Sequence, residues 1–319
     1  MPNVLILGGS GYLGFALGQA LIRSGNYTVF GTVRSDEKAK TLTLNEVTPV
    51  KGEATNPRWL AQAIATHHID VVVDTTQAYE QAGTMLGAVV QAAKDRAATL
   101  AKDNATGPKL GFVYTSGSWV NGSPSRRISD LTVPGTSVSP SKPATAVTWR
   151  PAHEQAILAA RGVLDVAVLR PGTIYGRGSW VLGTHFGPLL EAAKSGSADV
   201  VHVPVDAGSR AGYVHVDDLS SAYVTAIDRL GRLGSWPIFE VATETLPIGD
   251  VLSAVASILN VKGKIAYDGT IGNPFLEALA LVTNTDFSRA HSVLDWTPRR
   301  RDFIQNLPVL VAAWKATQA

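Results

Sequence analysis

The sequence predicts an α/β chain, a doubly wound and mostly parallel sheet with a smaller C-terminal substrate lobe. Three observations carry this expectation. Short runs rich in β-branched residues alternate with amphipathic helical stretches, a glycine cluster sits at the first strand-to-helix junction, and the pattern turns irregular after Gly176. Alternation of this kind builds parallel strands joined by right-handed crossovers. An irregular tail suits a second lobe assembled from separate segments.

Asn3–Leu7 (NVLIL) is a short apolar run, as expected for a strand covered on both faces. After the glycines, Leu13, Leu17, Ala20 and Leu21 recur at helical spacing through Ser24, and Gly25 suits a helix C-cap that tolerates positive φ. Thr28–Val33 is the second strand. Further strands are expected at Val47–Lys51, Val71–Asp74, Gly111–Tyr114, Val166–Arg170 and Phe239–Val241. Helices are expected at Pro57–Thr66, Gly83–Lys102, Arg150–Ala160 and Asp217–Arg229. The polar stretch Asn121–Ala144 reads as a long surface loop, and a segment of that size more often acts as a lid than as padding.

Composition narrows the function. The chain has 319 residues, 45% hydrophobic and 17% charged, which suffices for one large α/β domain with an appendage. It has no cysteine, which removes disulfide frameworks, thiolate catalysis and Cys-ligated zinc or iron–sulfur sites. Net charge is +2 and the basic clusters Arg126–Arg127 and Arg299–Arg301 are short, so the broad basic stripe of a nucleic-acid binder is missing. The N-terminal Met-Pro-Asn lacks the basic start of a signal peptide, and no stretch reaches the ~18–20 apolar residues of a membrane span. The expected protein is soluble and cytoplasmic, acts on a small molecule, and has no nucleic-acid or membrane partner; a homodimer is left open.

The sharpest local signal is Gly8-Gly9-Ser10-Gly11-Tyr12-Leu13-Gly14. It satisfies G-x-x-G-x-x-G and G-x-G-x-x-G at once, directly after a buried strand and before an amphipathic helix. That context supplies a tight turn, close backbone approach to a pyrophosphate, and a helix N-terminus aimed at the anion. Twenty residues beyond Gly14, where an NAD-selective site usually places an acid, stands Arg34, with Lys38 one helical turn later. Both would pair with a 2′-phosphate, so NADP(H) is the expected cofactor, although a solvated arginine opening a loop would look the same.

With these residues in view, the chain resembles the short-chain dehydrogenase/reductase superfamily, in its extended, NAD-dependent epimerase/dehydratase-like branch. The resemblance runs nearly end to end. It covers the glycine motif, Asp70–Thr76 (DVVVDTT), Tyr114–Gly117 (YTSG), Arg170–Gly176 (RPGTIYG), Tyr213–Leu219 (YVHVDDL) and Leu294–Pro298 (LDWTP). It implies a Rossmann NADP-binding domain over residues 1–175, completed by about 213–243, and a substrate lobe from 176–212 and 244–319. It also implies that Thr75, Thr76, Thr115, Pro171 and Gly172 line the cofactor.

Members of that family normally use a Tyr-x-x-x-Lys pair for proton transfer, helped by a Ser or Thr. No tyrosine stands between Tyr114 and Tyr175 here. In one register of helix 150–160, Arg150 replaces the lysine and Ala146 the tyrosine; in another, Trp149 falls on the tyrosine and His153 on the lysine. Ser116, Arg150 and His153 are therefore the catalytic candidates. Ser116 would polarise the substrate oxygen, Arg150 would hold the nicotinamide ribose, and His153, water or another group would move the proton. Arginine itself is a poor proton donor, whereas histidine titrates near neutrality. Gly117 stands where many epimerases carry their hydroxyl, flanked by Ser116 and Ser118.

Tyr79, Ser118, Trp119, Tyr175, Trp180, His185 and Phe186 are expected to contact substrate, and Tyr79, Tyr175, His185, His202 and Tyr213 are further acid candidates. The only arginines between 176 and 212 are Arg177 and Arg210. That is thin for a nucleotide diphosphate, and the aromatic residues suit a small aromatic or polyketide-like molecule better, unless they merely pack the lobe. His215-x-Asp217 reads as a packing and capping element, so no metal is expected. The expected activity is NADP(H)-dependent oxidation or reduction of a small carbonyl or alcohol. Non-redox isomerase, epimerase or cyclase chemistry, and a catalytically silent NADP sensor, are the alternatives.

Overall fold

The computed structural model describes residues 1–139, 141–270 and 272–318. Seven strands form a parallel sheet: β1 (Asn3–Leu7), β2 (Thr28–Val33), β3 (Thr48–Lys51), β4 (Val71–Asp74), β5 (Leu110–Thr115), β6 (Leu164–Pro171) and β7 (Ile238–Val241), in the order β3-β2-β1-β4-β5-β6-β7. The order reverses between β1 and β4, which opens a crevice at their C-terminal ends. The expected doubly wound α/β class is the one observed.

Each apolar strand residue alternates between two cores. Val4 and Ile6 of β1 join the cluster containing helix α1 (Tyr12–Ser24) and helix α7 (Val216–Asp228). Leu5 and Leu7 join the opposite cluster, under α3 (Pro57–Thr66), α4 (Ala82–Lys102) and α5 (Arg150–Ala159). Burial on both faces is why these strands read as continuous apolar runs. Helix α2 (Asp36–Leu44) escaped the sequence expectation because it buries only Leu42 and so carries no amphipathic period.

The smaller lobe has its own core, around Tyr175, Phe186, Leu189, Tyr213, Val251, Phe303 and Trp314. It is built from a three-stranded sheet (Thr173–Tyr175, Arg210–His215, Glu244–Pro247) and helices α6 (Gly183–Ser195), α8 (Ile248–Leu259) and α11 (Phe303–Ala316). Helices α9 (Pro274–Leu279) and α10 (Ser288–Leu294) return to the larger domain. The stretch 121–144 departs from the expected free lid. Its Ile128–Ser129 pairs with Thr285–Asp286, Asp130 is fully buried, and Ala144 packs with Val147 and Ala278.

Two glycines test how tightly this frame is drawn. A Cβ on Gly14 would lie 2.2 Å from the Gly8 carbonyl oxygen, so Gly14→Ala should destabilise by about 1–3 kcal/mol or more in urea unfolding. Gly87, inside α4, would meet nothing within 4 Å, and Gly87→Ala should stabilise by about 0.5–1 kcal/mol.

Candidate active site

A cleft of about 1450 Å³ opens over the C-terminal ends of β1, β2, β4, β5 and β6. It exceeds the roughly 300–1,000 Å³ of an ordinary small-ligand pocket, leaving room for a dinucleotide and a second molecule. Gly8, Ser10, Gly11, Tyr12 and Leu13 line its floor. Gly8 has φ +80°, the left-handed turn that glycine adopts freely, and Gly11 N–H donates to its carbonyl at 2.9 Å. Gly9 and Gly14 do not line the cleft. Gly9 instead lets the loop cross β2, where a Cβ would come within 2.6 Å of the Gly31 Cα.

Gly11 caps α1 and has no side chain with which to accept, and the first turn carries no acid. Helices α2, α3, α7 and α9 are capped by the side chains of Ser35, Asn56, His215 and Asn273. The first-turn N–H groups of α1 lie at the cleft floor with no side-chain acceptor, as α4, α5, α6, α8, α10 and α11 also lack one elsewhere. At the end of β2, Arg34 and Lys38 line the same cleft, exposed and in no ion pair among the described residues, while the neighbouring Asp36 is held 2.7 Å from Lys51.

At the inner end lie Thr75, Thr76, Tyr79, Thr115, Ser116, Ser118, Trp119, Pro171, Gly172 and Trp180, together with Ala146 and Arg150. The pair four residues apart that faces the cleft is Ala146 and Arg150; Trp149 and His153 do not line it. Placement therefore corrects the expectation for His153. It is buried against Tyr114, with ring centroids 4.8 Å apart, its Nε2 has no protein partner, and burial holds its pKa below the ordinary histidine value. Burial pushes the Tyr114 phenol far up despite nearby Arg150, whereas Tyr79 is an exposed phenol on the cleft wall beside Arg150.

Arg150 is only 8% exposed. Its guanidinium carbon sits 5.2 Å from the Tyr79 ring centroid and 5.7 Å from that of Trp149, and no carboxylate comes within ion-pair distance among the described residues. A Cβ on Gly117 would lie 2.9 Å from its Nη1, so glycine there leaves the guanidinium its present place.

Ser116 is also corrected. Its hydroxyl donates to Glu154 Oε1 at 2.5 Å, so its one proton points inwards and its Oγ offers only acceptor capacity to the cleft. Glu154 takes two hydrogen bonds from the fully buried Arg170, which also reaches Glu240 Oε1 at 3.2 Å, and Asn121 donates to that same oxygen at 2.7 Å. Glu240 Oε2 has no protein partner, and burial, against the pull of Arg170, pushes this carboxyl up to about 7.

Tyr175, His185 and Phe186 do not line the cleft, contrary to expectation. Tyr175 donates to the Arg300 carbonyl and packs on Phe303, while His185 and Phe186 turn into the lobe, where burial lowers the His185 pKa to about 4. Tyr213 is likewise core, and exposed His202 pairs with Asp268. Arg177 pairs with Asp217, and His215 accepts from Asp217 N–H. No group of three or more metal-ligating side chains occurs among the described residues. Sequence reasoning missed Phe275, which α9 brings to the cleft from far along the chain. Its only local signal is the Asn273–Pro274 helix start.

The model of the NAD dependent epimerase/dehydratase family matches residues 4–242. Among solved structures, the chain is similar to dTDP-glucose 4,6-dehydratase from Bacillus anthracis in complex with NAD (18% identity, TM-score 0.73, covering 100% of this chain and 98% of that one). It is similar also to UDP-glucose 4-epimerase from Thermotoga maritima with UDP-glucose (17%, 0.72, 99% and 100%). A third is UDP-glucuronic acid 4-epimerase from Bacillus cereus with UDP-glucuronic acid and NAD (17%, 0.71, 99% and 99%). At these identities the likeness shows a shared fold. No curated protein matches the chain.

Glu240 makes stability depend on pH. Its carboxyl titrates near 4.5 when unfolded and about 7 when folded. The native state therefore favours the protonated form, and this contribution is full below about 4.5 and lost as pH rises through about 7. Asp74 and Asp130, also pushed up by burial, act in the same sense. The lowered His153 and His185 act oppositely, their contribution being lost as pH falls. The difference between wild type and Glu240→Gln isolates the Glu240 share. Between pH 5 and 8 the balance should shift towards the variant by on the order of 1–3 kcal/mol in urea unfolding. A difference that does not vary with pH would remove the assignment.

Proposed function

The chain belongs to the NAD dependent epimerase/dehydratase family, and from that premise we propose that it is an NADP(H)-dependent oxidoreductase acting on a small carbonyl or alcohol. The observation that carries the proposal is the layout of one cleft: an uncapped α1 N-terminus at its floor and two unpaired cations, Arg34 and Lys38, at the end of β2. The glycine turn fits a dinucleotide, since a Cβ at Gly11 would press on the Gly8 carbonyl at 3.2 Å and a Cβ at Gly14 far more closely. In this proposal the N–H groups of the turn and of α1 hold the pyrophosphate. Arg34, a planar fork that matches phosphate geometry, holds the 2′-phosphate with Lys38. Thr75, Thr76, Thr115, Pro171 and Gly172 flank the nicotinamide end.

A bound nicotinamide supplies or accepts the hydride. Arg150 holds the ribose and stabilises negative charge on the substrate oxygen, a task its charge performs without giving up a proton. The proton that balances the hydride is exchanged with water or with Tyr79 on the cleft wall, because the cleft presents Ala146 where the family's phenol would stand and the Ser116 proton is held by Glu154. Charge stabilisation and positioning supply most of the rate in such a site. Ala146 also favours a second reading, a non-redox isomerase or an NADP(H) sensor without turnover.

Calorimetry with both cofactors, followed by loss of nicotinamide absorbance against a panel of carbonyl compounds, tests the proposal. Tight NADPH binding without turnover would favour the second reading. Arg34→Asp should weaken NADPH by about 10- to 100-fold while changing NADH little. Equal loss for both cofactors would overturn the 2′-phosphate assignment.

A further inference from the structure

Among the described residues two arginines are buried, and they differ in one respect. Arg170 is matched by two carboxylates, Glu154 and Glu240. Arg150, nine-tenths buried, is matched by none, and its Nε has no partner. No group around it among the described residues forms an ion pair with it, although its charge reaches the buried Asp74. Tyr79 and Trp149 offer ring faces, and Tyr114 is a neutral phenol. Asp74, at the end of β4, lies beyond ion-pair distance and accepts instead from the Thr76 N–H and hydroxyl at 2.9 and 2.7 Å. A buried, unmatched guanidinium is costly unless a ligand supplies the counter-charge.

The same cleft carries an aromatic wall drawn from three distant segments. Trp180 and Phe275 stack at 20° with centroids 5.7 Å apart, and Trp119 meets the Phe275 ring edge-on at 5.9 Å. Trp180 is 51% exposed and Tyr79 42%, so two of the most exposed large aromatic side chains flank the same opening. Adjacent exposed aromatic faces around a concave site mark a place where a flat apolar ligand removes surface from water. Beyond Arg34 and Lys38 at the other end, Arg150 is the only cation on the described cleft wall, and Glu53 the only acid. Nothing on the inner wall could clamp a second diphosphate.

We infer that the inner half of the cleft takes a planar aromatic substrate bearing an anionic oxygen, carboxylate or phenolate, with Arg150 as charge partner and the Trp119–Phe275–Trp180 array as stacking wall. The inference rests on the oxidoreductase proposal, in which this half receives the substrate. The fork of five N–H donors on Arg150 has room for an anionic oxygen beside the group that reacts. A nucleotide sugar is excluded by the same wall, because its diphosphate would meet one cation where it needs several.

The test uses the full chain, saturated with NADP⁺, titrated with 2-naphthoate, 2-naphthamide, cyclohexanecarboxylate and UDP-glucose, read by tryptophan quenching and calorimetry. 2-Naphthoate should bind about tenfold or more tighter than the amide, which lacks the charge, and than cyclohexanecarboxylate, which lacks the flat ring. UDP-glucose should neither bind at comparable concentration nor displace naphthoate. Arg150→Gln should erase the preference for naphthoate over naphthamide and Arg150→Lys should keep part of it. Trp180→Ala should weaken both aromatic probes about fivefold while keeping the charge preference. Melting curves identify any variant that fails to fold, and the four-probe comparison on wild type stands without them. Equal affinity for acid and amide, an unchanged preference in folded Arg150→Gln, or displacement by UDP-glucose would overturn the inference. NADPH binding with no discrimination among probes would sink the inference alone. Failure to bind NADPH would sink the cofactor proposal, and the probe comparison, repeated without cofactor, would still decide the inference.

Discussion

A fully buried arginine shared by two glutamates holds the inner end of the cleft in place. Arg170 stands near the end of β6, Glu154 on α5 and Glu240 on β7, and through Glu154 and Glu240 the same network takes in Ser116 after β5 and Asn121 beyond it. Three adjacent strand ends and one helix are thereby fixed by charge-assisted hydrogen bonds in a dry interior. Removing one partner there would leave an uncompensated charge, so the arrangement tolerates little adjustment. Arg150 lies one helical turn before Glu154 and therefore on the same face of α5. Anchoring Glu154 to Arg170 aims Arg150 at the cleft.

The same anchor changes what Ser116 can do. With its proton given to Glu154, it offers lone pairs to whatever enters, and the one strong electrophile left at the centre is the guanidinium. Gly117 completes the exchange, because any side chain there would crowd Arg150. Ala146, Gly117 and the buried Arg150 therefore meet at one point of the cleft. In the proposed reading, that point acts chiefly by stabilising negative charge.

How much of this was legible in the sequence follows from the range over which each interaction acts. The glycine turn, β1, α1 and the Arg34 position depend on spacing within some thirty residues, and local patterning reveals them. Helix α2, with only Leu42 buried, has no period to read. Tyr175, His185 and Phe186 looked like cleft residues because they follow β6 in the chain, but the lobe needed them for its core, which local sequence does not record. Phe275 reaches the wall only because α9 packs on the turn at Thr145–Val147, a contact some 130 residues long in sequence that leaves no local mark. The two registers for Arg150 and His153 could not be separated by counting, since Ala146–Arg150 and Trp149–His153 have the same four-residue spacing. What separates them is Glu154, whose pairing with Arg170 sets the rotation of α5.

The charges of the cleft are divided by depth, and depth decides how each one acts. Arg34 and Lys38 are exposed at the nucleotide end, where salt screens their pull over roughly 8–10 Å and each contact contributes modestly. Arg150 is buried between aromatic rings, where screening is weak and an unmatched charge is expensive. In the proposed reading the outer pair attracts and distinguishes the cofactor, while the free energy for choosing a substrate is concentrated at a single buried point. A neutral molecule entering there would cover the guanidinium without supplying a counter-charge. The proposed selectivity for an anionic oxygen rests on the cost of leaving Arg150 unmatched, whatever else the aromatic wall contributes.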